Sequence, residues 1–245
     1  MPFAFSSTHT YFQLLSCSKL PSYLFVFSVI STLLSPVTHA TALLQEFEFG
    51  DSVDYVRSLP DSFDCSALYQ TGIAEDSEQE NAAFCFDEAN LFHTEGGMLT
   101  AFMADGVVDK VEYSLEMSLA NYNAVLSGLR RQNYVFTQVT VGDETLDVLS
   151  GLKLLDRQTL DDQLFTLINQ ADFSTQREFI LLDHRNFKRA LKAKIKSVDS
   201  WLNNKAAQRG FERLTMVRIS VSNDEILLQA SQPFTGWRVV ASGAT

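Results

Sequence analysis

The segment Val107-Val108-Asp109-Lys110-Val111-Glu112-Tyr113-Ser114-Leu115 decides the fold class of this 245-residue chain. Apolar and polar residues alternate along it, which is the period of a strand buried on one face. The apolar face comprises Val107, Val111, Tyr113 and Leu115, and the polar face comprises Lys110, Glu112 and Ser114. Asp105-Gly106 is a strong turn signal and predicts a hairpin with residues 99–103. The sequence therefore predicts an antiparallel sheet with one covered face.

The patterns on either side of this hairpin mix strands and helices. Further strands are predicted at 66–70, 82–87, 134–141, 146–149, 178–182, 213–221 and 225–230. Helices are predicted at 51–59, 118–131, from 159 onward, and at 185–204. No run of strand–helix–strand units favours a parallel sheet. We therefore expect an α+β fold, with a mostly antiparallel sheet or sheets and about four packed helices.

The first 42 residues have the composition of a signal peptide. They contain no acidic residue and one basic residue, Lys19, and an apolar run at 23–34 precedes Pro36 and Ala40-Thr41-Ala42. The run is shorter than the roughly 20 apolar residues of a membrane span, and small residues at 40 and 42 are typical of a cleavage site. We expect cleavage after Ala42, with Ala40 as second choice. An uncleaved anchor, a lipid on Cys17 and a buried helix are the alternatives.

The remaining chain divides into an exported α+β domain at 43–231 and a polar tail at 232–245. A sub-domain boundary near 117 or 150 stays open. Without the leader two cysteines remain, Cys65 and Cys85. In an exported chain such a pair predicts a disulfide, and two buried thiols are the alternative. Neither His93 nor His184 lies at a metal-ligand spacing from them, so no metal and no cofactor is predicted.

Composition excludes several classes of protein. The 46% apolar content and 19 phenylalanines argue against a disordered chain, and a mean hydropathy of −0.01 is too low for a polytopic membrane protein. The net charge of −11 argues against a general nucleic-acid binder. The charge is unevenly placed, because residues 43–129 hold 17 acids and two bases while residues 177–218 hold 11 bases and four acids. This asymmetry indicates an intramolecular fit or a basic surface for a partner.

The predicted helix at 185–204 carries five cations on the side opposite an aliphatic stripe. They are Arg185, Lys188, Arg189, Lys192 and Lys196. This face is the candidate surface for an anionic partner: anionic lipid, lipopolysaccharide phosphates or an acidic envelope protein. The alternative is a solvated face compensated by the acidic half. The aliphatic stripe is typical of core, so membrane insertion and a transmembrane segment in the mature chain are not expected.

Motifs of known chemistry are absent from the sequence. It contains no G-x-S-x-G, phosphate-binding P-loop, G-x-G-x-x-G, H-E-x-x-H or C-x-x-C, and no catalytic residue is predicted. Asp183-His184 suits either a general base or a helix cap, and the cap is favoured. The acidic loop at 75–80 lacks the alternating ligands and the glycine of a calcium loop.

The segment 49–60, followed by a strand meander, is similar to small periplasmic helix-plus-sheet modules, such as those of outer-membrane assembly lipoproteins and β-lactamase inhibitors. The similarity identifies no family and assigns no functional residue. We expect a periplasmic or secreted, non-enzymatic protein that acts through protein or envelope contacts. A small hydrolase whose carboxylates meet only in the fold, and a small-ligand carrier, are the alternatives.

Overall fold

A computed structural model describes residues 47–69, 82–94, 96–170, 172 and 174–234. The predicted leader and the acidic loop at 75–80 lie outside these residues. The described strands are β1 (Ser62–Asp64), β2 (Ala83–Ala89), β3 (Gly97–Ala104), β4 (Val107–Glu116), β5 (Tyr134–Val141), β6 (Glu144–Asp147), β7 (Arg177–Asp183), β8 (Met216–Val221) and β9 (Glu225–Ser231). They form one open sheet in the order β1-β2-β3-β4-β9-β8-β7-β5-β6, and every neighbouring pair is antiparallel.

The described part of the chain also holds eight helices, against the four expected. They are α1 (Val53–Ser58), α2 (Ser66–Tyr69), α3 (Leu119–Arg131), α4 (Val148–Leu154), α5 (Arg157–Gln170), α6 (His184–Lys192), α7 (Val198–Leu202) and α8 (Lys205–Gln208). The additional ones are one or two turns long, too short to show a 3.6-residue period. The α+β class and the antiparallel sheet are confirmed, and the helix number was underestimated.

The hairpin of β3 and β4 forms as predicted, with one change near the turn. Val111, Tyr113 and Leu115 are buried on one face. Closer to the turn, however, Val108 is buried and Val107 is only half-buried. The register shifts there, because Phe102 pairs with Lys110 while the next residue of β3 pairs with Val108. β4 has one extra residue at this point, which forms a β-bulge. The side chains before the bulge therefore point to the opposite faces of the sheet from those that strict alternation predicts.

The two faces of the sheet are covered differently. Helices α1, α3 and α5 pack on one face, and the main hydrophobic core lies between them and the strands. On the other face, α4, α6, α7 and α8 cover one end around Trp201, and a small cluster around Cys65 and Cys85 lies at the opposite end. Between these clusters the sheet carries polar side chains, among them Glu112, which accepts hydrogen bonds from Lys110 at 2.8 Å and Gln229 at 2.7 Å.

One predicted strand is wrong and another ends early, for the same physical reason. Residues 66–70 were expected to be a strand, but residues 66–69 form α2, because Asp64 accepts hydrogen bonds from the backbone and hydroxyl of Ser66 at 2.9 and 2.6 Å. The strand expected at 146–149 is present as β6 but ends at Asp147, which is the N-cap of α4. In both places a short acidic side chain satisfies the first free N–H groups of a helix and ends the strand.

The predicted helix at 185–204 is divided into α6 and α7. Lys194 adopts a left-handed conformation with φ 57°, and its N–H donates to the carbonyl of Leu191 at 3.1 Å while Ile195 N–H donates to Ala190 at 3.1 Å. This pair of bonds is the Schellman motif, which ends a helix. Ser197 then caps α7 in a capping box with Ser200.

A single sheet runs across both candidate sub-domain boundaries, near 117 and near 150, since β4 pairs with β9 and β5 pairs with β7. The packed domain also continues past residue 231. Phe234 is 2% exposed and its ring lies 5.3 Å from that of Trp201. In the part of the chain described here, no helix combines the length and apolarity needed to cross a membrane.

Candidate functional site: a basic surface around α6

Helix α6 is fixed at its first turn and along its inner face. The carboxylate of Asp183 accepts hydrogen bonds from the backbone N–H groups of Arg185 and Asn186, each at 3.0 Å. Ala190 is fully buried in the cluster around Trp201. The helix therefore presents its cations outward. Asp183 acts as a helix cap, as the sequence favoured, and His184 is exposed beside it.

All five predicted surface residues are exposed, but they do not share one helix. Arg185, Lys188, Arg189 and Lys192 lie on α6, whereas Lys196 lies in the connection to α7. No salt bridge joins any of the five to an acidic side chain of the described residues. Like charges four residues apart on a helix, as at Arg185/Arg189 and Lys188/Lys192, repel one another.

Arg189 is the member of this group that is held in place by the protein. Its guanidinium donates to the side-chain oxygen of Asn186 at 2.9 Å and to the carbonyl of Gly210. It also lies over the ring of Phe211, 4.8 Å from the centroid, an arrangement that stabilises a cation. Arg189 thus joins α6 to the loop before β8.

The structure adds three cations that the sequence did not group with this face. Lys194 is exposed in the turn that ends α6. Arg209 and Arg213 are exposed on either side of Phe211, whose ring packs at 4.8 Å against Trp201. We define the basic surface as these three with the five predicted residues. Lys194 could have been found from sequence proximity, but Arg209 and Arg213 reach α6 only through a tertiary contact.

Acidic side chains lie beside this surface but form no salt bridge with its cations among the described residues. The pKa of Glu212 is lowered, first by the backbone N–H of Gly210, which donates to its carboxylate at 2.7 Å, and also by the charge of Arg189. None of the described salt bridges joins residues 43–129 to residues 177–218. Among the described residues, therefore, no ion pair between the acidic and basic halves neutralises the basic surface.

The predicted disulfide pair is confirmed at the other end of the sheet. The sulfur atoms of Cys65 and Cys85 are 1.98 Å apart, and the Cα atoms are 5.8 Å apart. Both residues are buried. The bond ties the start of α2 to β2, and Tyr69 at the end of α2 contacts Phe102 of β3, with ring centroids 4.8 Å apart.

Two grooves are present in the described part of the molecule. One, of about 480 Å³, lies between β6 and α5 and includes Glu144, Leu146 and Asp162 in its walls. The other, of about 210 Å³, lies between the sheet and α7, next to Gln138, Asp199 and Arg218. Both open to solvent. Neither groove includes His93, which is exposed in a loop.

The described side chains form no group of three His, Cys, Asp or Glu residues placed to hold a metal ion. Comparisons with family models, curated proteins and solved structures find no significant match for this chain. The roles of its residues therefore rest on their own geometry and charge.

Proposed function

We infer that the protein is exported and acts without catalysis, through contacts between its basic surface and an anionic component of the cell envelope. The observation that carries this proposal is the set of exposed cations on and beside α6 that form no salt bridge with a described residue. In a strongly acidic protein such a surface presents a local attraction for anions, opposite in sign to the net charge of the chain.

The geometry favours a contact at the surface without insertion. The apolar side of α6 is occupied by its own core, with Ala190 fully buried and Phe187 and Leu191 packed against the same cluster. No apolar face of this helix is left to enter a bilayer. Attraction to phosphate groups then comes from charge alone, at about 1 kcal/mol for each Lys or Arg near an anionic surface.

Two observations favour this proposal over the hydrolase and the carrier. Among the described residues no Asp or Glu is buried, whereas a carboxylate that acts as a general acid needs burial to raise its pKa. Both grooves open to solvent, whereas a carrier encloses most of its ligand.

Charge reversal of two freely exposed cations tests the proposal. We expect the double variant Lys188→Glu, Lys192→Glu to bind vesicles containing anionic phospholipid at least about thirtyfold more weakly than the wild type at low salt, since two favourable contacts are lost and two repulsive carboxylates are added. The measurement is vesicle co-sedimentation across a salt series, with zwitterionic vesicles as the baseline. Arg189 is left intact because it also holds the 209–213 loop.

The matched control is Arg57→Glu, Arg157→Glu, which makes the same change of net charge at exposed residues away from α6. This control should retain most of the binding. Equal losses in the two variants would show that only the overall charge matters, and vesicle binding that is insensitive to salt would contradict the proposal. The same variants are also compared on isolated envelope fractions. A loss of binding to these fractions without a loss on lipid vesicles would indicate that the anionic partner is a protein.

A further inference from the structure

The groove between β6 and α5 has the dimensions and chemistry of a binding surface for an extended chain. Its volume of about 480 Å³ falls in the range of ligand pockets. Leu146 and Leu167 supply its apolar contacts, and Thr159, Gln163 and Thr166 supply polar ones from one side of α5. It lies on the face of the sheet opposite α6, so it is separate from the basic surface.

One wall of the groove is the free edge of the sheet. β6 is the last strand in the sheet order, and no described strand pairs with its outer side. The side chain of Thr145 points to the face of the sheet away from the groove, where its hydroxyl lies 3.0 Å from that of Thr140. Thr145 nevertheless borders the groove. The backbone of the edge strand therefore runs along the groove. Alternate residues of such a strand direct N–H and C=O groups outward, which is a template for another strand.

The charge of the groove indicates what kind of chain it accepts. Its ionisable lining residues are Glu144 and Asp162, and no described basic residue lines it. A second copy of β6 is a poor occupant, because its sequence Glu144-Thr145-Leu146-Asp147 holds two acids and no basic side chain to complement these carboxylates. An extended segment with basic side chains complements both the edge and the carboxylates.

We propose that β6 and the groove beside it bind an extended, basic segment of a partner protein by strand addition. Main-chain hydrogen bonds to the edge of β6 provide general affinity, apolar side chains of the segment contact Leu146 and Leu167, and its cations lie near Glu144 and Asp162. This is the recognition mode in which a sheet edge gives affinity and neighbouring pockets give specificity. It does not depend on the basic surface or on its function.

A short synthetic peptide tests the proposal directly. The probe is an acetylated and amidated heptapeptide of alternating lysine and valine, titrated into the isotopically labelled protein and followed by NMR. We expect amide shifts to change at residues 144–147 and along 159–167. Methylating the backbone nitrogens that face β6 should abolish binding while the charge of the peptide is unchanged, because strand addition requires those N–H groups.

Two neighbouring aspartates on α5 provide a matched pair of variants. Asp162 lines the groove, whereas Asp161 does not and instead pairs with Arg157 at 3.6 Å. Asp162→Lys should weaken binding of the peptide about tenfold, and Asp161→Lys, with the same change of net charge at an exposed position, should change it less than twofold. Thermal unfolding of both variants shows whether the fold is kept.

Three results would overturn the proposal. The first is equal binding of the methylated and unmethylated peptides, which would indicate attraction by charge alone. The second is equal loss in the two aspartate variants. The third is self-association of the protein through 144–147, seen as a dimer in sedimentation that the peptide does not dissociate.

Discussion

At the scale of single residues, Tyr113 of β4 is fully buried and lies against residues of β2 and β3. Its hydroxyl donates to the carbonyl of Ala89 at 2.8 Å and lies 2.6 Å from the hydroxyl of Thr94. The ring lies over Gly97, where an added Cβ would be 2.3 Å from a ring carbon. Glycine is required at this position because the tyrosine occupies the space that any other side chain would need.

We expect Gly97→Ala to lower the free energy of unfolding by about 2 kcal/mol, since the core must shift to relieve the overlap. Urea denaturation measures the change. Combining it with Tyr113→Leu provides the control: once the ring is removed, Gly97→Ala should add little further cost. An additive pair of losses would show that the glycine is needed for another reason.

Tyr134 should make the stability depend on pH in the alkaline range. Burial, together with the charge of Asp183, raises the pKa of its hydroxyl to about 12. The folded protein therefore keeps this proton above pH 10, where the unfolded chain has lost it. The contribution to stability is fully present below about pH 10 and is lost as the pH rises towards about 12.

The measurement is the free energy of unfolding from pH 9 upward in the wild type and in Tyr134→Phe. The difference between the two proteins should change by on the order of 2 kcal/mol between about pH 10 and pH 12. Lysine titration affects both proteins equally and cancels in this comparison. Parallel curves would contradict the raised pKa.

At the scale of elements, the end of α6 shows how a helix stops without glycine. Lys194 takes the left-handed conformation that glycine adopts at low cost. We expect Lys194→Gly to stabilise the protein by up to about 1 kcal/mol, because the strain of the side chain is removed. Lys188→Gly is the control, and it should destabilise by about 1 kcal/mol because Lys188 lies in the interior of the helix. Thermal unfolding of both variants shows whether each one is stabilised or destabilised. Destabilisation by both substitutions would contradict the assignment of a Schellman motif at Lys194.

The Cys65–Cys85 bond joins another pair of elements, α2 and β2, across 20 residues of sequence. Closing a loop of this length contributes about 3 kcal/mol in the chain-entropy model. We expect the double variant Cys65→Ser, Cys85→Ser to lose about this amount in urea denaturation. Reductant should reproduce the loss in the wild type and leave the double variant unchanged. Free thiols in the unreduced, unfolded protein would contradict the bond.

At the scale of the whole molecule, the continuous sheet predicts a single cooperative unfolding transition. β4 and β9 pair over seven residues, Lys110 to Glu116, and thereby join the early strands to the late ones. Trp201 reports on the cluster under α6, and circular dichroism reports on all elements. In a Trp237→Phe background, the two signals should give coincident urea midpoints. Separate midpoints would show that the chain contains two folding units.

Local patterns predicted part of this architecture. The alternation at 111–115 and the turn at Asp105-Gly106 identified the central hairpin, and the cysteine pair identified the disulfide. The same patterns missed α4 and the division of the helix at 185–204. Those boundaries depend on single caps, the carboxylate of Asp147 and the left-handed Lys194, which change the backbone without changing the hydrophobic period.

The sequence alone determined the antiparallel class, the disulfide partners and five cations of the basic surface, because each depends on composition or on contacts a few residues apart. The tertiary structure decided the strand order, the free edge at β6, and the contact of Arg189 with Gly210 and Phe211 that adds Arg209 and Arg213 to the surface. These features depend on which distant segments meet. The spacing of hydrophobic residues along a segment identifies which of its sides is buried. It does not identify which other element packs against that side.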